Sequence, residues 1–393
     1  MTISKNSQRI SAVLIGPSKR FLSGISYFTI LLSNALSESI DVDVVLFRDM
    51  LPKNLFPGWK RVGNDLSNLH FNEGIQVSEV LDWYNPLSWI YGASKCVKHD
   101  VIIFQWWTSS VAHMYLAIAL FNLKKKPIII EFHETVDPLE KEIFPLRSYA
   151  KITATVLRHL ADIYITHSEN DRKLVSLHYQ IKEDKIRVVP LGLFDQYTVI
   201  DRDIAKERLG LKEKKIILFF GLLRPYKGVK YLIRAFEQFP EELLSNSRLL
   251  IVGEVWEDYE SRQIFENSPR KSHITMVDRY VSDDEISAFF SSADVLVIPY
   301  TRASQSGVAH IGMTYGLPIV ASKVGGLIES LGAYEGIEFV MPGNILELKE
   351  AIIRQMATGK KFPPPEDLKW NYVAELWKSI IMGLVKNNPG QKK

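Results

Sequence analysis

The stretch Phe219-Phe220-Gly221-Leu222-Leu223-Arg224-Pro225-Tyr226-Lys227-Gly228 decides the fold. Ile216 to Phe220 is an apolar run that predicts a buried strand, and Gly221 ends it. A loop follows with Arg224 and Lys227 three residues apart, and then Val229, Leu232, Ile233 and Phe236 recur at helical spacing. Two cations are therefore held between the end of a strand and the start of a helix. In open parallel sheets, ligands bind beyond the carboxyl ends of the strands. A cation pair placed there suits a phosphate or diphosphate. The plain alternative is a solvated loop with two surface charges. A second anion-cradle candidate downstream favours the phosphate.

That candidate is Thr301-Arg302-Ala303-Ser304-Gln305-Ser306-Gly307-Val308, which joins a predicted strand (Asp294 to Tyr300) to a predicted helix (Val308 to Tyr315). The first N–H groups of a helix lack intrahelical partners and carry partial positive charge. Small residues such as Ser304, Ser306 and Gly307 let a phosphate approach them. Serine is also an ordinary N-cap, so alone this signal is weak. Paired with Arg224 and Lys227 it describes a diphosphate clamp. His133 is the third element. It follows the apolar run Ile128 to Phe132 and lies between Glu131 and Glu134. His113, inside a helical pattern, and His167, in a polar strand-to-helix segment, are weaker candidates.

The same alternation extends both ways. Upstream, strands are expected at Ile10 to Ile15, Val42 to Phe47, Val101 to Phe104, Ile128 to Phe132, Ile163 to Thr166 and Ile186 to Val189. Helices are expected on the Ile25, Phe28, Leu32, Leu36 face, over Val111 to Leu123 and over Ser148 to Leu160. Ser23-Gly24 closes a glycine loop after the first strand, without the spacing of a dinucleotide fingerprint. Met50 to Trp89 reads as mostly irregular, with short strands. Downstream, strands are expected at Arg248 to Val252, Ile274 to Tyr280 and Leu317 to Ser322. A capping box at Ser282 to Glu285 opens a helix. A last helix near Asp367 to Val385 carries Trp370, Val373, Leu376, Trp377 and Ile380 on one face. The pattern predicts two α/β domains with mainly parallel sheets, meeting near 190–205.

At 393 residues the chain exceeds one ordinary core, and a net charge of +3 is far from a nucleic-acid signature. One cysteine, Cys96, excludes an intrachain disulfide framework and suits a reducing compartment. No Cys/His spacing predicts a zinc site. The polar start, Met1 to Arg9, lacks the apolar core of a signal peptide. The expected location is therefore the cytoplasm. The most apolar segment, Val111 to Leu123, precedes Lys124-Lys125-Lys126. A buried helix ending in cations is the preferred reading, and a helix resting on the inner membrane face is the alternative.

These segments resemble a known family. The run Gly221 to Gly228, Ile251-Val252-Gly253, Ala293 to Tyr300, Gly316 to Ser322 and Gly325-Gly326-Leu327-Ile328-Glu329 occur in the order and spacing of the retaining nucleotide-sugar glycosyltransferases of family four. In the first half the resemblance rests on Ser23-Gly24, His133, and Ala161-Asp162 through Ser168 to Asp171. It implies the α/β GT-B fold: two Rossmann-like domains with parallel sheets facing an interdomain cleft, and a C-terminal helix crossing back to the first. The implied division is an acceptor-side domain over 1–195 with 370–393, and a donor domain over 196–369.

By position, Arg224 and Lys227 resemble the pair that grips the donor diphosphate. Gly24 resembles the loop glycine near the phosphates, and His133 the histidine near the donor sugar. Ser306, Gly307 and Val308 resemble the helix start that meets the phosphate, and Asp278 to Val281 lies where the family holds the base. Many members carry two glutamates, whose positions here are Ala303 and Ile311. Neither can bind a sugar hydroxyl; Ser304, Gln305 or Ser306 could substitute. The resemblance implies transfer of a sugar from a nucleotide-diphosphate donor to a glycan or lipid-linked hydroxyl, with retention and without a metal or other cofactor. Rivals are a nucleotide-sugar epimerase of the same fold and a sugar-nucleotide binding module; a dehydrogenase lacks its fingerprint. The acceptor is expected near Gly24 and the aromatic segment Trp83 to Trp89.

Overall fold

The computed structural model describes residues 9–50, 62–64, 66–135 and 144–387. The chain divides into two compact units: Met1–Asn64, Leu69–Pro190 and Lys369–Lys393 form one, and Asp65–Asn68 with Leu191–Leu368 the other.

The first unit is built on β1 (Ser11–Pro17), β2 (Asp41–Asp49), β3 (Gln76–Asp82), β4 (Val101–Trp106), β5 (Ile128–Phe132), β6 (Ile163–Thr166) and β7 (Ile186–Val188). They form one seven-stranded sheet, ordered β3-β2-β1-β4-β5-β6-β7, and every pairing is parallel. Strands covered on both faces need side chains that can be buried on both. The largely apolar β4 and β5, buried throughout and interrupted by Gln105 and Glu131, meet that need. Between the strands run α1 (Gly24–Ser37), α2 (Pro86–Cys96), α3 (Ala112–Leu120), α4 (Phe144–Leu160) and α5 (Glu169–Tyr179). Phe47, Phe104, Trp106, Ile130 and Phe132 pack with Met114, Tyr115, Ile118, Ala154 and Leu157 in a core on one face of the sheet. The closing helix, Trp370–Asn387, packs against α1 and buries Val373, Ala374, Trp377, Ile381 and Val385.

The second unit has β8 (Lys215–Phe220), β9 (Ser247–Val252), β10 (Ile274–Val277), β11 (Val295–Ile298), β12 (Ile319–Ser322) and β13 (Ile337–Val340), ordered β10-β9-β8-β11-β12-β13. All of these pairings are parallel too. Its helices include α6 (Arg202–Arg208), α7 (Val229–Glu237), α8 (Glu241–Leu244), α9 (Tyr259–Glu266), α10 (Asp283–Ser292), α11 (Gly307–Thr314), α12 (Leu327–Gly332) and α13 (Ile345–Thr358). The strand order reverses between β8 and β11, which makes that pair the topological switch point of the sheet. The segment 66–68 belongs here: Ser67 Oγ and Asn68 N both donate to the Asp283 carboxylate, each at 2.8 Å.

Some elements differ from expectation. Met50 to Trp89, read as mostly irregular, contains β3 and the start of α2, whose N-cap Asn85 accepts from Leu87 N. Residues 51–61 of that stretch lie outside the described residues. The helix expected over Val111 to Leu123 stops at Leu120. In the closing helix the buried face is shifted, with Ile381 buried and Ile380 half-buried.

Candidate functional site

In the second unit, the two predicted cradles are joined. Lys227 ends a single 3-10 turn, Pro225–Lys227, whose C-cap Gly228 has φ 68°. A Cβ on Gly228 would lie 2.0 Å from the Pro299 carbonyl oxygen, so the loop after β8 is pressed against the end of β11 and only glycine fits. Tyr226 ties the loops together. Its carbonyl accepts from Thr301 N at 2.7 Å and from Thr301 Oγ1 at 3.1 Å, and its ring lies 5.0 Å from the Arg302 guanidinium carbon.

Gly221 marks the point of convergence. It has φ 110°, and a Cβ built there would lie 3.1 Å from Lys227 Nζ and 3.4 Å from Val308 Cγ2. The ammonium and the first turn of α11 thus reach one spot at the mouth of β8. Lys227 Nζ also lies 5.1 Å from the centre of the Tyr300 ring, while the Arg224 guanidinium carbon lies 4.8 Å from the Trp256 ring. Each cation rests beside an aromatic ring, which attracts it and limits its rotamers. Ser306 caps α11, its Oγ accepting from Ala309 N at 3.3 Å. Tyr300 is buried and hydrogen-bonds to Ser306; burial pushes its phenol up to about 12.

Ser304 and Gln305 are half-buried in the same loop, and Ile311 is buried. The Ala303 carbonyl accepts from Gly326 N at 3.3 Å, which seats this loop on the Gly325-Gly326 turn. Asp278 accepts from Val255 N at 2.8 Å and pairs with Arg262 at 3.2 Å.

In the first unit, Gly24 opens α1 behind the N-cap Ser23, is exposed, and has nothing within 4 Å of where a Cβ would stand. Internal packing does not demand a glycine at this helix start. His133 follows β5, its backbone N donating to the Trp106 carbonyl at 2.8 Å. Its ring stands edge-on to Phe28 at 4.9 Å, and Phe28 in turn meets Trp370 of the closing helix at 5.6 Å.

Beneath His133 lies a polar cluster that the sequence disclosed only in part. Glu131 is fully buried. His133 Nε2 lies 3.4 Å from its Oε2, His167 Nε2 lies 3.7 Å from its Oε1, and Gln105 Nε2 donates to Oε2 at 3.3 Å. Gln105 Oε1 accepts from Thr29. His167 Nδ1 sits 3.0 Å from the Val189 carbonyl, which makes Nδ1 the donor and turns the Nε2 lone pair towards Glu131. Burial lowers His167 to about 4, against the opposing pull of Glu131. Among the described residues this trio could also hold a metal ion, since one ligand atom from each lies within 4.8 Å of the others.

His113 is a packing residue, its Nε2 3.2 Å from the Trp83 carbonyl and its ring against Trp83 and Trp89. The Trp83 indole donates to the Ser110 carbonyl and the Trp89 indole to the Asp82 carbonyl, so both N–H groups are satisfied inside the unit. Trp106 fills the core.

Two doubly wound parallel sheets, with a cationic loop and a capped helix start at the switch point of the second, are the α/β architecture of the GT-B fold. The family described as "Glycosyltransferase Family 4" matches residues 22–195, and "Glycosyl transferases group 1" matches residues 201–369. The chain belongs to the group 1, family-four type of glycosyltransferases. An uncharacterized glycosyltransferase, MJ1607 of Methanocaldococcus jannaschii, is 33% identical over 172 residues, covering 42% of this chain and 43% of the relative. D-inositol 3-phosphate glycosyltransferase of Corynebacterium aurimucosum is 28% identical over 257 residues, 61% of this chain and 59% of that protein. The chain thus spans about half the length of these relatives. Anabaena Alr3699/HepE, solved with UDP and glucose, shares the fold with TM-score 0.66 at 16% identity, over 96% of this chain and 97% of that one.

Proposed function

We propose that the chain transfers a sugar from a nucleotide-diphosphate donor to an acceptor hydroxyl on a glycan or lipid-linked molecule, with retention at the anomeric carbon. The observation that carries this reading is the meeting of Lys227 Nζ and the first turn of α11 at Gly221. An ammonium and helix-terminal amides aimed at one point form a preorganised anion site, strongest for charge that develops as a diphosphate departs. The solved Anabaena relative with UDP and glucose supports a nucleotide-sugar ligand.

In this reading the C1–O bond to the diphosphate breaks and its electron pair passes to the diphosphate oxygen. Lys227, Arg224 and the amides at Gly307 and Val308 neutralise that charge, and no metal or other cofactor is required. The acceptor oxygen bonds C1 from the face the diphosphate leaves, and its proton passes to a diphosphate oxygen. His133, set by Glu131 and Phe28, contacts the donor sugar. Gly24 keeps the start of α1 open to the substrates, and Ser304, Gln305 and Ser306 take over polar contacts that Ala303 and Ile311 cannot make.

Incubation with a panel of nucleotide sugars and acceptors tests the reading, with product anomeric configuration read by NMR. Retained configuration and turnover abolished in Lys227→Ala are expected. An inverted product would overturn retention. Conversion of donor without acceptor would favour the epimerase, and donor binding with no transfer to any acceptor would favour the binding module, to which Ala303 and Ile311 lend support.

A further inference from the structure

We propose that the outer face of α3 and α4 docks on an anionic bilayer surface. The body of α3 is buried, as Met114, Tyr115 and Ile118 show, but its end is not. Leu120, Phe121 and Leu123 are exposed, Leu123 at 84%. On α4 the exposed apolar residues are Tyr149, Ile152, Val156 and Leu160, with Ile152 at 65%. Their spacing traces one stripe along a helix. It lies opposite Ala154 and Leu157, which bury the other side of the same helix in the core. α3 and α4 pack against each other. Each runs from the carboxyl end of one parallel strand to the amino end of the next, so both finish at the same edge of the sheet. The loop with Leu123 and the last turn of α4 therefore share that edge.

Charge selects the occupant. No Asp or Glu occurs from Val101 to Ile130 or from Phe144 to Leu160. The same segments carry Lys124, Lys125, Arg147 and Lys151, all exposed. Two acids, Asp100 and Asp162, stand at the strand starts of this edge, but Asp100 accepts from Ser11 N and Lys126 and Asp162 from Ile128 N. The stripe itself is flanked by cations, which matches the boundary between acyl chains and anionic headgroups. A second copy of the chain fits less well, because face-to-face pairing would set these lysines against themselves. Nucleic acid would meet the cations and leave the apolar stripe without a partner. Among the described residues no helix is long and apolar enough to cross a membrane, so the contact is with the surface. Such docking would bring the first unit to a lipid-linked acceptor, a consequence that rests on the proposed function; the docking itself does not.

The test is co-sedimentation of the full chain with phosphatidylcholine vesicles, with and without phosphatidylglycerol. Binding to the anionic vesicles only, weakened by salt, is expected. Ile152→Asp with Val156→Asp should weaken it at least tenfold. Lys124→Gln, Lys125→Gln and Lys151→Gln should each weaken it about fivefold. All these sites are exposed, and unchanged circular dichroism and nucleoside-diphosphate affinity establish that the variants fold. Absent binding, or binding unaffected by the aspartates, would overturn the proposal. So would a dimer that the aspartates dissociate, which would hand the face to a second copy. Loss of transferase activity in every condition with vesicle binding intact would sink the catalytic reading alone.

Discussion

Replacing Gly221 by alanine separates the anion site from the scaffold that holds it. The glycine has φ 110°, a conformation that costs an L-residue about 1–3 kcal/mol. The added methyl would stand 3.1 Å from Lys227 Nζ and 3.4 Å from Val308 Cγ2. The second distance is ordinary contact. The first is tight, but the neighbour is the tip of a flexible side chain, which moves cheaply. Stability should therefore fall by the backbone term alone, lowering the melting temperature by roughly 2–12 °C. Binding should suffer more, because the group displaced is the cation proposed to meet the diphosphate. A charge-assisted hydrogen bond is worth about 1.5–3 kcal/mol, so nucleoside diphosphate affinity should drop roughly 10- to 150-fold. Gly228→Ala is the contrast: its methyl would meet backbone, the Pro299 oxygen, at 2.0 Å, so its main effect should be a larger loss of stability. Scanning calorimetry and titration calorimetry below the melting transition read the two effects separately. A folded Gly221→Ala variant with wild-type diphosphate affinity would refute the placement of Lys227 at the ligand.

Gly24→Ala should behave in the opposite way. Nothing occupies the space of its Cβ and alanine favours helices, so stability should hold or rise by about 0.5–1 kcal/mol while turnover falls; an active, stabilised variant would release Gly24 from the site. His167 predicts an acid limit. Its imidazole takes a proton near pH 6.5 when unfolded and near pH 4 when folded, so acidification loads the unfolded state first. Stability should fall as pH drops from 6.5 to 4, by up to about 3 kcal/mol, and thermal melts of His167→Asn should show a shallower slope. His113, also lowered by burial, acts in the same direction. Trp377→Ala in the closing helix should cost about 3–5 kcal/mol, because the indole is fully buried; urea titration checks this, and a loss under 1 kcal/mol would mean that the helix is not needed to hold the first unit together.

The candidate anion site in the second unit was legible because its parts are local. A strand, a glycine, two cations and a helix start follow one another within residues 215–229, and the serine-rich loop before α11 has the same strand-to-helix form. What joins them, the Tyr226 carbonyl with Thr301 and the fit of Gly228 against Pro299, is tertiary and left no mark in either segment. The Glu131, His133 and His167 cluster was only half visible. Glu131 and His133 flank the end of β5, but His167 comes from the end of β6 and Gln105 from β4, and only parallel pairing brings them together. His167 also looked like a mere preface to the Ser168 cap. β3 and α2 were obscured by the aromatics, Asn85 and Pro86, which read as loop although Asn85 caps and Pro86 opens a helix. The apolar stripe on α4 was hidden for a related reason: periodicity reveals that a helix has faces, and only burial tells which apolar face is left outside.

The central claim is that Arg224 and Lys227 hold a diphosphate together with the start of α11. Titration calorimetry of UDP, GDP and ADP against the wild-type chain and the Arg224→Ala/Lys227→Ala double variant addresses it most directly. At least one nucleotide should bind the wild type and lose 100-fold or more in the variant, with its melting curve unchanged. Equal affinity in the two proteins would contradict the account.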